Sequence, residues 1–267
     1  MFMAVSFDRF TDIIETAAPL GCAYSWDNSG RNVRVSDSVK KVMITLDVTE
    51  SVIDQAEEQG CDTILSHHPL LFRETRKLDI DDPVTGLVIR AVRSGISLYA
   101  AHTSYDCAPG GLNCKLGEKL GLKNLSVFVP EQGSVEGMGL GVVGDFTEPM
   151  SFDALIARVG ISLGQDHPRH NGISGKFMRA AVIGGAGGEF FREAKQAGAQ
   201  VLITGEAKYN HFIDAAQMGI LIVEAGHFET ERIFIESMKA HLSESIKKEG
   251  LELEIVTAEV YPPCRTR

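Results

Sequence analysis

The sequence predicts an α/β protein built as two lobes, each with mainly parallel sheets flanked by helices. The first observation is a repeated pattern from Val42 onward of apolar strand, polar tip and amphipathic helix. It reads "VMITLD" then "TESVIDQAEEQG", "DTILSHH" then "PVTGLVIRAVRSG", and "ISLYAAHTSYD" then "GLNCKLGEKLG". Such alternation argues for parallel strands joined by right-handed helical crossovers. The second is that the pattern resumes later, with "RAAVIGG", "VLITGE" and "ILIVEAGH" each leading into a helical stretch. The third is the segment "VFVPEQGSVEGMG" between them, whose proline and glycines mark a break. The expected lobes are therefore residues 1–128 and 129–267.

Taken in order, Ser6 caps a helix whose apolar positions Phe7, Phe10, Ile13, Ile14 and Ala17 follow helical spacing, and Pro19 closes it. The loop "YSWDNSG" leads to the first alternating block. After the break come a strand "LGVVGDF", a helix "SFDALIARVG" and a polar connector "GQDHPRHNGISG". Helices are expected at "EFFREAKQAG" and "KYNHFIDAAQMG", then a long one from about Phe228 to Lys248, and a last strand at "LELEIVTAEV".

A chain of 267 residues with 44% hydrophobic and 23% charged residues buries a substantial core. Its formal charge of -10 leaves no basic face for duplex nucleic acid or anionic lipid. Asp8, Asp12 and Glu15 interrupt any signal-peptide core, and no run is apolar enough to span a bilayer, so a cytoplasmic chain is expected. Five cysteines without CxxC spacing read as reduced thiols.

Parallel strands present their ligand-binding groups at the carboxyl ends. Those ends carry Asp47, the His67–His68 pair, His102 with Asp106, Glu206, and His227 with Glu231. In "ILSHHPLLF" the adjacent histidines would point to opposite faces of an extended strand. Pro69 fixes its own φ and biases His68 away from helix, so a turn there directs both rings into one crevice, toward one ion or toward two on the order of 3.5–4 Å apart. A hydrogen-bonded surface turn is the plain alternative. In "GHFETE", His227 closes a strand and Glu231 follows four residues later on the same helical face, although a carboxylate in a first turn is favourable in its own right. Asp106 precedes a Pro-Gly-Gly turn, as ligand or as turn former, and His102 is a ligand or a supporting partner. Histidines and carboxylates without thiols describe a nitrogen/oxygen site suited to iron, zinc or manganese, and five ligands suit two ions better than one.

These residues resemble the dinuclear-metal Nif-three-like family, also labelled GTP cyclohydrolase 1 type 2 homologs. The likeness runs through "WDNSG", "TLDVTESVIDQAEEQGCDTILSHHPLLF", "HTSYDCAPGGLN" and "TGEAKYNHFIDAAQMGILIVEAGHFETER", in the family's order. It implies two interlocked lobes with the metal site in the cleft between them, and a homo-oligomer in the form of a ring-like hexamer. It also implies that His67, His68, Asp106, His227 and Glu231 bind two divalent metal ions. Ser104, Tyr105 and Cys107 depart from the family's usual residues, which bears on substrate preference.

Paired ions that activate a bridging water make hydrolysis the expected reaction, with Glu231 and His102 as candidate catalytic groups and a nucleotide or related heterocycle as substrate. The rival expectation is a non-catalytic metal-binding ring that senses metal or docks onto partners. The turn "GGAGGEFF" is either a phosphate cradle or a plain strand-to-helix turn. Lys208, Tyr209 and His211 after "TGE" are candidates to reach into the cleft, His167 and His170 in "DHPRH" mimic a metal motif but are expected to be solvated in a polar connector, and Trp26 with Asp27 and Asn28 is either a pocket wall or a packed tryptophan with a capped turn.

Overall fold

The computed structural model describes residues 5–130 and 135–264. Residues 131–134 of the expected break lie outside the described residues. The chain divides into two compact units, and the division differs from a single break near residue 128. The first unit holds the chain up to Tyr105 together with Phe234–Tyr261, and the second holds Asp106–Ile233 and the described end of the chain from Pro262. The reason is a strand return: Glu254–Thr257 pairs in parallel with Lys41–Thr45, so the last strand completes the first sheet.

That first sheet has five strands in the order Glu254–Thr257, Lys41–Thr45, Thr63–Ser66, Ser97–Ala100 and Gly30–Val33. All pairs are parallel except the last, which is antiparallel. Its central strands are buried on both faces, which is why they read as continuous apolar runs rather than alternating ones. Met43, Ile64 and Leu98 pack on one face with Val52, Ile53 and Ala56 of the helix Glu50–Glu58. Tyr99 meets Phe10 of the helix Phe7–Ala17 edge-to-face at 6.5 Å.

The second unit carries a six-stranded sheet in the order Lys123–Pro130, Gly139–Ser151, Lys176–Ala186, Val201–Glu206, Leu221–Glu224 and Arg169–His170. It is mixed rather than mainly parallel. Only the pairs on either side of Val201–Glu206 are parallel, because the long strands Gly139–Ser151 and Lys176–Ala186 run antiparallel. Alternate residues feed two cores: Ala180, Val182, Val201 and Ile203 face one, and Ala181, Ile183 and Leu202 face the other. Helices therefore cover both faces, as period-two burial requires.

Local signals act where the residues place them. Ser6, Thr49 and Ser151 each accept a backbone N–H from three residues on and start helices. Ser6→Ala is expected to cost about 1 kcal/mol in urea unfolding, because the Arg9 amide loses its acceptor. The helix expected over 228–248 is two helices, His227–Glu231 and Ile233–Glu249. Among the described residues no helix is long and apolar enough to cross a membrane.

Candidate metal centre

In the first unit the strand Thr63–Ser66 ends one residue before the histidine pair, so the chain has already turned at His67 rather than at Pro69. Backbone bonds from His67 N to Thr45 O and from His68 N to Leu46 O steer it, and Ser66 Oγ donates to the His68 carbonyl at 2.7 Å. The His67 and His68 rings consequently lie 4.9 Å apart, and each is 5.3 Å from the ring of His102. One ring nitrogen from each of these three residues falls within 4.8 Å of the other two.

Each of these rings is held through Nδ1. The Nδ1 of His67 faces the Ala101 carbonyl at 2.9 Å, that of His68 faces Asp47 Oδ1 at 2.8 Å, and that of His102 faces Asp27 Oδ1 at 2.8 Å. A neutral imidazole that donates from Nδ1 presents Nε2 as its lone-pair atom, which fixes both tautomer and ring orientation for a ligand.

Asp27 is the most heavily bonded of these anchors. Its side chain is fully buried and accepts from Asn28 N, Ser29 Oγ, Thr103 N, Thr103 Oγ1 and His102. Burial pushes its carboxyl up, but the bond and charge of His102, with the hydroxyls of Ser29 and Thr103, outweigh it and hold the group well below the usual carboxylate range.

In the second unit the strand Leu221–Glu224 stops short of His227, which opens the helix His227–Glu231 instead of closing a strand. Gly226, at φ 91°, makes that turn. Within the helix the i,i+4 spacing brings His227 Nε2 to 3.0 Å from Glu231 Oε2, while His227 Nδ1 is held by Glu206 Oε1 at 2.8 Å. The Glu231 side chain is only 4% exposed. Two acceptors facing each other at that distance call for a cation, either a proton on the ring or a metal ion between them.

The glycines of "GGAGG" turn out to serve these ligands. A Cβ on Gly185 would sit 2.2 Å from Glu231 Oε1 and 3.3 Å from His227 Nε2, and one on Gly205 would sit 2.7 Å from Thr230 Oγ1. The amides of the turn are engaged within the fold: Gly184 N donates to Asn113 Oδ1, Gly185 N to Thr230 Oγ1, and Gly187 N to Thr204 Oγ1. These three amides are therefore not offered to a phosphate. Asn113 also donates to the Asp106 carbonyl at 2.9 Å, so Asp106 is tied to the same frame as Glu231. Asp106 thus falls in the second unit rather than the first.

Asn113, the bond of Asp27 to His102 and the glycine contacts went unread in the sequence, where Asp27 counted only as part of a pocket wall or a capped turn; only the recurrence of glycine beside strand ends hinted at the last. Glu224 is a further supporting group: it pairs with Arg169 and accepts from Ala207 N at 2.9 Å, next to Glu206. His170 packs edge-on against Phe152, and His211 Nδ1 accepts from Lys208 N, so neither enters the histidine triad. Burial pushes the Cys61 thiol up to about 11, which leaves it inert at neutral pH.

Imidazole nitrogens with fixed tautomers and a buried carboxylate make groups that could hold metal ions. The comparisons with known proteins agree on the family. A protein called "GTP cyclohydrolase 1 type 2 homolog" from Clostridium acetobutylicum is 32% identical over 259 residues, 96% of this chain and 97% of its own. One of the same name from Clostridium perfringens is 35% identical over 82% of this chain and 84% of its own. A Staphylococcus aureus hypothetical protein of known structure superposes with a TM-score of 0.92 at 25% identity, over 99% of this chain and 100% of its own. The family model described as Duf34/NIF3 (NGG1p interacting factor 3) matches residues 5–263, and the chain belongs to that family.

Proposed function

We propose that the protein is a divalent-metal-dependent hydrolase with a dinuclear site, acting on a nucleotide or related heterocycle. The ligands are His67, His68, Asp106, His227 and Glu231, and the ions are iron, zinc or manganese. The observation that carries this reading is the uniform anchoring of the three ligand histidines, His67, His68 and His227, through Nδ1. A structural histidine is satisfied by bonding from either nitrogen, whereas ligation through Nε2 demands this pattern at every position.

When bound, such ions lower the pKa of the water they hold and stabilise charge that develops on the attacked group. The chain's own part falls to His102 and Glu231. His102, oriented by Asp27, accepts a proton at Nε2, and the Asp27 carboxylate compensates the imidazolium that results. Glu231 is both ligand and catalytic carboxylate, held in place by the wall of Gly185. The ring-like hexamer is part of the proposal, and sedimentation of the purified chain checks it.

Elemental mass spectrometry of untagged protein tests the reading directly. About two ions per chain are expected, falling by about one in His68→Ala with the fold retained. No metal, even after reconstitution, would overturn it. With two ions bound, hydrolysis of a nucleotide, pterin or phosphoester that is lost in Glu231→Gln completes the case. No turnover on any of them would favour the metal-sensing or docking alternative.

A further inference from the structure

We propose that Trp26 and Phe72, backed by Tyr24, form a stacking platform for one planar heteroaromatic ring, a purine or a pterin, whose rim heteroatoms reach the metal-binding histidines. This deepens the hydrolase reading and rests on it for the groups that meet the ring's rim.

The platform is built rather than accidental. Trp26 is 59% exposed and Phe72 46% exposed, in a unit that buries Phe7, Phe10 and Tyr99 almost completely. Large aromatic rings left in water forgo the favourable burial their area offers, so a paired exposure beside a polar cluster points to an occupant. Trp26 stacks on Tyr24 at 5.4 Å with the planes 12° apart, which backs one side of the indole. Phe72 stands edge-on to it at 6.0 Å and His102 at 6.3 Å, and Phe72 is 6.0 Å from His102. The result is a flat indole with two upright rings beside it, one of them a member of the histidine triad.

Hydrogen bonds keep both aromatic loops in position. Tyr24 N donates to Thr103 Oγ1 at 3.0 Å and Asp27 N to Tyr24 O at 3.0 Å, which fixes the turn that carries Trp26. Asn28 Nδ2 donates to Leu71 O at 2.6 Å, which ties that turn to the residue before Phe72. The three residues of "WDN" thus divide the work: the indole offers a surface, the carboxylate orients His102, and the amide joins the two loops. An occupant of this corner needs a flat apolar face against Trp26 and a polar edge toward His102. A heteroaromatic ring offers both, and stacking of this kind tolerates many bases because each has a π-face.

Trp26 is the chain's single tryptophan, so its emission reports on the platform directly. Titration of metal-loaded protein with guanosine 5′-monophosphate is expected to quench that emission saturably, with binding about tenfold or more weaker in Phe72→Ala. Equilibrium dialysis of Trp26→Leu should show the same loss, while ribose 5-phosphate should leave the emission unchanged. Quenching by ribose 5-phosphate equal to that by the nucleotide, or no quenching by the nucleotide, would overturn the proposal. An emission that shifts with chain concentration alone would overturn it too, since a second copy would then be the occupant. Metal content measured on the same samples separates the two readings. Bound ions without quenching remove the platform alone, and quenching without bound ions removes the metal reading while the platform stands.

Discussion

Asp27→Ala is expected to destabilise the protein by about 3–5 kcal/mol, equivalent to roughly 6–20 °C in melting temperature. The carboxylate is buried and accepts five hydrogen bonds, so its removal strands the buried Thr103 amide and leaves the His102 ring without its anchor. The informative companion is Asp27→Asn. Oδ2 is met by one amide and two hydroxyls, and Oδ1 by one amide and an imidazole able to change tautomer. The new NH2 group is therefore expected at the Oδ1 position, facing His102 Nδ1. That reverses the tautomer and puts the proton on Nε2, the atom needed as acceptor. Differential scanning calorimetry should show most of the stability retained in Asp27→Asn, with turnover lost at unchanged metal content in His67 and His68. A variant that keeps full turnover would sink the role given to Asp27.

Gly185→Ala is expected to be nearly as damaging, at about 2–4 kcal/mol, and to release metal as well. Its φ of 63° strains any side-chain-bearing residue, and the added methyl would meet the Glu231 carboxylate at 2.2 Å. Gly172→Ala separates the two causes. Gly172 has φ 77° but nothing within 4 Å of an added Cβ, so it carries the backbone strain alone, about 1 kcal/mol. Equal losses in the two variants, by urea unfolding, would show that the contact with Glu231 contributes nothing.

Residues whose meaning is local were legible in the sequence. Ser6 acts through an amide three residues away, and the His67–His68 pair announces itself by adjacency at the end of an apolar run. The spacing of His227 and Glu231 gave their contact, because helix geometry alone brings i and i+4 together. What stayed hidden depends on pairing across long stretches of chain. Nothing in "LELEIVTAEV" says that it joins Lys41–Thr45, and nothing in "VFVPEQGSVEGMG" says that the division between units falls elsewhere. The second sheet read as parallel because its strands alternate with helices. Alternation does not fix orientation, as Gly139–Ser151 and Lys176–Ala186 demonstrate: the helix Phe152–Leu163 lies between them in the chain, yet they pair antiparallel. Gly185 read as part of a turn and Gly205 as part of a strand, since a sequence does not record which side chain a missing Cβ makes room for.

The return of the last strand sets a timetable for synthesis. Val42 and Ile44 leave the ribosome early, but the neighbours they pair with, Ile255 and Thr257, come 213 residues later. At typical elongation rates that interval is roughly 10–40 s. Throughout it one side of the strand Lys41–Thr45 lacks its native partner, while the Asp106–Ile233 part of the second unit is translated and free to fold. The nascent chain thus carries an apolar, β-prone edge through most of its birth, the condition that favours mispairing between neighbouring chains on a polysome. Speed of translation and chaperone supply, more than the strength of the finished sheet, then govern the yield of folded protein.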